Sequence, residues 1–113
     1  MARFPVPGLA FSQDLSAAAL SYTTTFEKAF KLDLINFHAS VAITETITIT
    51  IDSARGSNYD PVLRVKTLSA EQDHVYAPES EIVLYDGDAL LIECTAANLT
   101  GVIYGEVRIS EIT

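Results

Sequence analysis

Hydrophobic and polar side chains alternate with a period of two through most of this chain. The clearest run is 46–52, Thr-Ile-Thr-Ile-Thr-Ile-Asp. Each residue before the aspartate is β-branched, stiff at χ1 and suited to extended backbone. The period puts Ile47, Ile49 and Ile51 on one face and Thr46, Thr48 and Thr50 on the other. It predicts a strand with one face in a core and one toward water or a partner. The next loop, Ser-Ala-Arg-Gly-Ser-Asn, is rich in turn formers and ends it.

Other stretches repeat the pattern. Residues 20–26 are β-rich. Residues 29–42 form the longest candidate, with Phe30, Leu32 and Leu34 in one phase and Phe37, Ala39 and Val41 in the other. A phase change inside one strand predicts a bulge or bend, here at Ile35-Asn36. Residues 59–68 follow, with Leu63 and Val65 expected on one face and Val62, Arg64 and Lys66 on the other; Pro61 belongs at its beginning or on an edge. Short strands are expected at 73–77 and 81–85. Asp86-Gly87-Asp88 is a turn. Residues 88–96 alternate Leu90, Ile92 and Cys94 against Leu91, Glu93 and Thr95. Residues 101–112 close the chain, with Ile103, Val107 and Ile109 inside. Residues 14–19 fit either a helical turn capped by Asp14 or the start of a strand.

About eight strands with short turns and no long helix predict an all-β fold, an antiparallel β-sandwich of jelly-roll type. Residues 15–113 form the sandwich and 1–14 an extended N-terminal arm. Pro5 and Pro7 exclude helix there. The arm is apolar for a free tail, through Phe4, Val6, Leu9 and Phe11. It can fold back on its own domain or lie across a neighbouring subunit.

At 113 residues the chain is one domain, and its 49% hydrophobic content excludes disorder as a whole. The single cysteine, Cys94, has no partner for an internal disulfide and sits in the buried phase. Fifteen acidic and seven basic residues leave a net charge of −8. With the basic residues scattered, that opposes nucleic acid and anionic membranes as partners. No apolar run approaches the ~20 residues of a membrane helix. Prolines interrupt what would be the apolar centre of a signal peptide, so a soluble protein that is not exported is expected.

No catalytic motif stands out, whether a nucleophile elbow, a His-Glu-x-x-His helix or a phosphate loop. His38 and His74 fall on separate expected strands, and the Gly-x5-His-x-His-x3,4-Glu pattern of a cupin-type metal site is missing. The expectation is no enzyme and no cofactor. Two acidic turns, 52–60 and 86–88, offer oxygens for calcium. Arg55 sits among the first set and no bidentate glutamate closes it, so a hydrogen-bonded loop is the favoured reading. The threonine face fits a solvated or subunit-facing surface. A sugar-binding platform would have to use tyrosines, since tryptophan is absent.

Ile47-Thr48-Ile49-Thr50-Ile51-Asp52-Ser53-Ala54-Arg55-Gly56-Ser57-Asn58-Tyr59-Asp60 resembles a pattern in small virion proteins of tailed bacteriophages: a strand, then Asp-Ser-x-x-Gly-x-x-Tyr-Asp, then another strand. Asp86-Gly87-Asp88-Ala89-Leu90 is similar to their Gly-Asp-Ala-Leu turn, and 30–38 to their first long strand. Pro61 departs from the pattern, and the arm before Tyr22 lies outside it. The resemblance implies a non-enzymatic structural subunit of a virion, on head, neck or tail. Its partners would be major capsid or neck and tail proteins and further copies of itself, in the virion and in the host cytoplasm during assembly. Expected contact residues are Phe4, Val6, Leu9 and Phe11 on the arm and Arg55, Asn58 and Tyr59 on the loop. The alternative is a small module binding carbohydrate or calcium.

Overall fold

The computed structural model describes residues 3–5, as backbone, and 8–112. Among the described residues ten strands run in chain order: β1 (Arg3–Pro5), β2 (Leu9–Asp14), β3 (Leu20–Thr25), β4 (Phe30–Ile43), β5 (Thr46–Asp52), β6 (Val62–Thr67), β7 (Glu71–Tyr76), β8 (Val83–Leu84), β9 (Ala89–Cys94) and β10 (Val102–Ile112). Every pairing is antiparallel. One sheet is ordered β1-β10-β4-β7, with β2 also on β10 and β8 also on β4; the other is β3-β9-β5-β6. The expected all-β sandwich is what forms. The pairings are nested: around the β5–β6 hairpin, β4 pairs β7, β3 pairs β9 and β2 pairs β10.

Alternation explains the core. Ile47, Ile49 and Ile51 of β5 and Leu90, Ile92 and Cys94 of β9 point inward from the second sheet. They meet Leu32, Ile35, Phe37, Ile103 and Val107 from the first. Each such side chain contributes about 1.5–3 kcal/mol by leaving water. Leu15, Leu68 and Leu84 are buried in the same cluster. At 14–18 the helical-turn reading holds: the Asp14 carboxylate accepts from the Ser16 N–H at 2.9 Å and hydroxyl at 2.6 Å. Those bonds hold Asp14 below its ordinary carboxylate pKa.

The phase change in β4 is a bulge, two residues before the expected place. Arg108 opposes Leu34 and Ile109 opposes Leu32, leaving Asp33 without a partner position. Inward positions then fall at Leu32 before the bulge and Ile35, Phe37 and Ala39 after it. Val41 is exposed instead of internal, because the register between β4 and β7 breaks again between His38 and Ile43.

The β6 expectation needs a larger correction. Arg64 and Lys66 pair with the inward residues Ile49 and Ile47, whereas Val65 pairs with outward Thr48 and Val62 with Thr50. Leu63 is the extra residue; it bulges and packs on the core. Val62 and Val65 therefore face out, while Arg64, still exposed, and half-buried Lys66 take the inward register positions. Inward-pointing charge on an edge strand discourages pairing with another sheet.

The described part of the arm lies along its own chain. β1 and β2 both pair with β10, Arg3 opposite Ile112 and Phe11 opposite Gly105. Phe11 stacks on Tyr22 at 4.6 Å between centroids and meets Phe37 edge-on at 6.1 Å, bridging the two sheets. Gly105 leaves room for that ring: a β-carbon there would land on it.

Glu45, buried at the β4–β5 turn, ties three loops together. Its carboxylate accepts from the Ala97 N–H at 2.8 Å, the Thr95 hydroxyl at 2.9 Å and the Asn98 N–H at 3.0 Å. Its own carbonyl accepts from the Leu68 N–H at 2.8 Å. Burial pushes its pKa up, but the three hydrogen bonds outweigh that and hold it below the ordinary glutamate value.

Candidate functional site

Two acidic turns that are distant in sequence become one structure. β5 and β9 pair so that Asp52 opposes Ala89, which sets the loop after β5 beside the turn before β9. The loop closes on itself first. The Gly56 N–H reaches the Ser53 carbonyl at 3.1 Å, and residues 57–59 make a single 3₁₀ turn. Gly56 has φ near 113°, backbone that a β-carbon would strain. The Asp60 carboxylate then accepts from the Ser53 N–H at 2.7 Å.

Asp88 locks the two turns together. One carboxylate oxygen accepts from the Ala54 N–H and the other from the Tyr85 N–H, both at 3.0 Å. The aspartates thus do the work of a hydrogen-bonded loop. Among the described residues no group of three or more His, Cys, Asp or Glu side chains gathers as a metal cluster would.

Between the turns lies a cleft of about 350 Å³. Ile51, Pro61 and Ala54 supply apolar wall; Tyr59 and Tyr85 flank it; Arg55 and Asp86 line it as charged groups. Tyr59 and Tyr85 are each 59% exposed, so most of both rings faces water. Among the described residues, the Arg55 guanidinium and Asp86 carboxylate make no hydrogen bond or ion pair.

The structure therefore brings Arg55 and Tyr59 to one cleft. Asn58 is exposed on the same turn but does not line it. The arm residues go elsewhere. Leu9 and Phe11 pack on the chain's own core, and Leu9 lines a separate depression of about 500 Å³ with Phe26 and Phe30. The side chain of Phe4 and all of Val6 lie outside the described residues. Tyr85 is the lining residue that local reading overlooks, and Asp86, which stands out within its own acidic turn, is not joined to Arg55 and Tyr59 by it. The signal that would find them is the β5–β9 pairing, which is non-local.

The two outer faces of the sandwich differ in charge. On the first sheet, the Arg108 side chain donates to Glu106 at 2.6 Å and His38 meets Asp73 at 2.7 Å. The second sheet presents Thr46, Thr48 and Thr50 flanked by Val62 and Val65 of β6, with Leu91 on β9. Val62 is 58% and Val65 60% exposed. Among the described residues, Glu93 is the charge within this face, and Asp52 stands at its end.

Two further groups are chemically quiet. Cys94 is buried; desolvation first, then the nearby Glu45 charge, push its thiol pKa up to about 11, so it is no nucleophile at neutral pH. His74, on the inner face of β7, stacks near Phe37 at 6.3 Å. Its Nε2 is buried with no partner among the described residues. Burial first, then the Arg64 and Lys66 charges, hold its pKa below the ordinary histidine value.

Compared with models of known protein families and with curated proteins, the chain matches none.

Proposed function

We propose that this chain is a non-enzymatic structural subunit of a tailed-phage virion, a jelly roll that works by protein–protein contact in symmetric copies. Support for the jelly-roll reading is the nested strand pairing across a six-stranded and a four-stranded sheet. Support for the virion role is the resemblance carried by 47–60 and 86–90.

The observation that carries the contact reading is the Thr/Val face of the second sheet. In a chain of net charge −8, like-charged surfaces repel one another. The Thr/Val face, on which Val62, Val65, Leu91 and the threonines surround the single carboxylate of Glu93, with Asp52 at its end, is where a copy or a neighbouring protein can pack. Strands of six or seven residues at ~3.3 Å each, four across at ~4.8 Å, give a face of about 400 Å². Two such faces bury about 800 Å², below the ~1,000 Å² expected of a stable isolated pair. Contacts of that size hold when repeated in an array.

Sedimentation velocity tests the reading. The native chain is expected to associate as concentration rises, and Thr48→Lys with Val65→Lys to remain monomeric with an unchanged circular dichroism spectrum. A native chain that stays monomeric at every concentration and does not co-sediment with virions contradicts it.

A further inference from the structure

We infer that the cleft between Tyr59 and Tyr85 is a binding site for a neutral pyranose sugar. This goes beyond the structural role proposed above and uses a different surface. Two of the acidic groups at the cleft are already committed. Asp60 and Asp88 spend carboxylate oxygens on the backbone N–H groups of Ser53, Ala54 and Tyr85. Arg55 and Asp86, both exposed, have no partner among the described residues, so a fork of donors and a pair of acceptors line the cleft uncommitted.

That pairing selects the ligand. A free anion meets Asp86 and the acidic surface; a free cation meets Arg55. An apolar ligand leaves both groups without partners on its own account. A sugar hydroxyl both donates and accepts, so it satisfies each. The C–H face of a pyranose ring suits an aromatic ring, and two tyrosines, each 59% exposed, flank this cleft. Its volume, about 350 Å³, lies at the small end of ligand pockets, which run from about 300 to 1,000 Å³. Asp88 ties the two walls together through the Ala54 and Tyr85 N–H groups, and a site tied before binding costs less to order.

The test is a nuclear magnetic resonance titration of the full chain, followed at the amides of Arg55, Tyr59, Tyr85 and Asp86. The probes are methyl α-D-glucopyranoside, methyl β-D-galactopyranoside and N-acetylglucosamine, with maltotetraose and chitotetraose as chain-linked forms. Sorbitol controls for an open-chain polyol and inorganic phosphate for an anion. At least one pyranoside is expected to saturate those shifts at millimolar concentration. Tighter binding of a tetrasaccharide identifies a polysaccharide chain as the source, equal binding a single sugar; either supports the site. Tyr59→Ala or Tyr85→Ala is expected to weaken binding about tenfold, with Tyr59→Phe close to native. Unchanged thermal melting of these exposed-site variants separates lost binding from lost fold. Three results overturn the inference: no saturation by any pyranoside up to about 20 mM, sorbitol or phosphate binding as well as the sugars, or affinity unchanged in both alanine variants. None of them bears on the association test of the Thr/Val face.

Discussion

Glu45→Ala removes the acceptor that three loop donors share. Two backbone N–H groups and one hydroxyl point at the carboxylate, at 2.8 to 3.0 Å. At about 1.5 kcal/mol, the low end for a bond to a charged acceptor, the three bonds give a gross loss of about 4–5 kcal/mol. Two corrections reduce it. Thr95, Ala97 and Asn98 are exposed residues, so water can reach the freed donors. The desolvation of a buried carboxylate also disappears. A net loss of about 2 kcal/mol remains, which for a domain of this size lowers Tm by roughly 8–10 °C. Glu45→Gln keeps one acceptor oxygen but turns an amide N–H₂ toward a donor, and is expected to lose about half as much. The pH dependence adds a second check. The carboxylate pKa is lower in the folded chain than its ordinary value of 4.5, so the unfolded chain binds the proton more readily. Its contribution is therefore complete above pH 4.5 and is lost as pH falls through the folded pKa. Urea denaturation of the three proteins at pH 7, and in steps from pH 5 to pH 3, reads both effects. The gap between native and Glu45→Ala should narrow below pH 4.5. A gap under about 0.5 kcal/mol at pH 7, or one that does not narrow in acid, refutes the reasoning.

Phe11→Ala is expected to destabilise by about 2–3 kcal/mol, less than a fully buried ring because Phe11 is partly exposed. Gly105→Ala should cost about 1–3 kcal/mol by displacing that ring, and the double variant should fall short of the sum when measured by denaturation. The Cys94 thiol, with its pKa near 11, should resist a thiol reagent at pH 8 in the native protein and react at once in urea. His74 has a folded pKa below its ordinary 6.5, so the unfolded state takes up the proton first and stability falls as pH drops below 6.5. His74→Phe should remove that slope in melts between pH 7.5 and 5.5.

The sandwich was legible because burial in it is written locally. Thr46–Asp52 alternates without interruption, and β5 occupies those residues. The β4 bulge announced itself as a change of phase, although Leu34, an apolar side chain pointing outward opposite Arg108, moved the apparent break two residues late. On β6 the same logic held for Leu63, which packs on the core, and for Val62, which faces out, but failed after them: Val65 faces out, and exposed Arg64 and half-buried Lys66 take the inward register positions, because an edge strand with a bulge at Leu63 is not bound by the alternation of a central one. The arm's apolar residues called for burial without saying where; pairing with β10, some ninety residues on, is a non-local fact. The cleft is hidden for the same reason. Arg55 and Tyr59 stand out as loop residues, but Tyr85 and Asp86 join them only through the register of β5 on β9.

Electron cryomicroscopy of purified phage particles tests the contact claim most directly. The account predicts density for this sandwich in symmetric copies, with Thr48 and Val65 turned against a neighbouring protein. Particles that lack the chain, or copies seated by the face that carries Arg108 and His38 with the Thr/Val face in solvent, would contradict it.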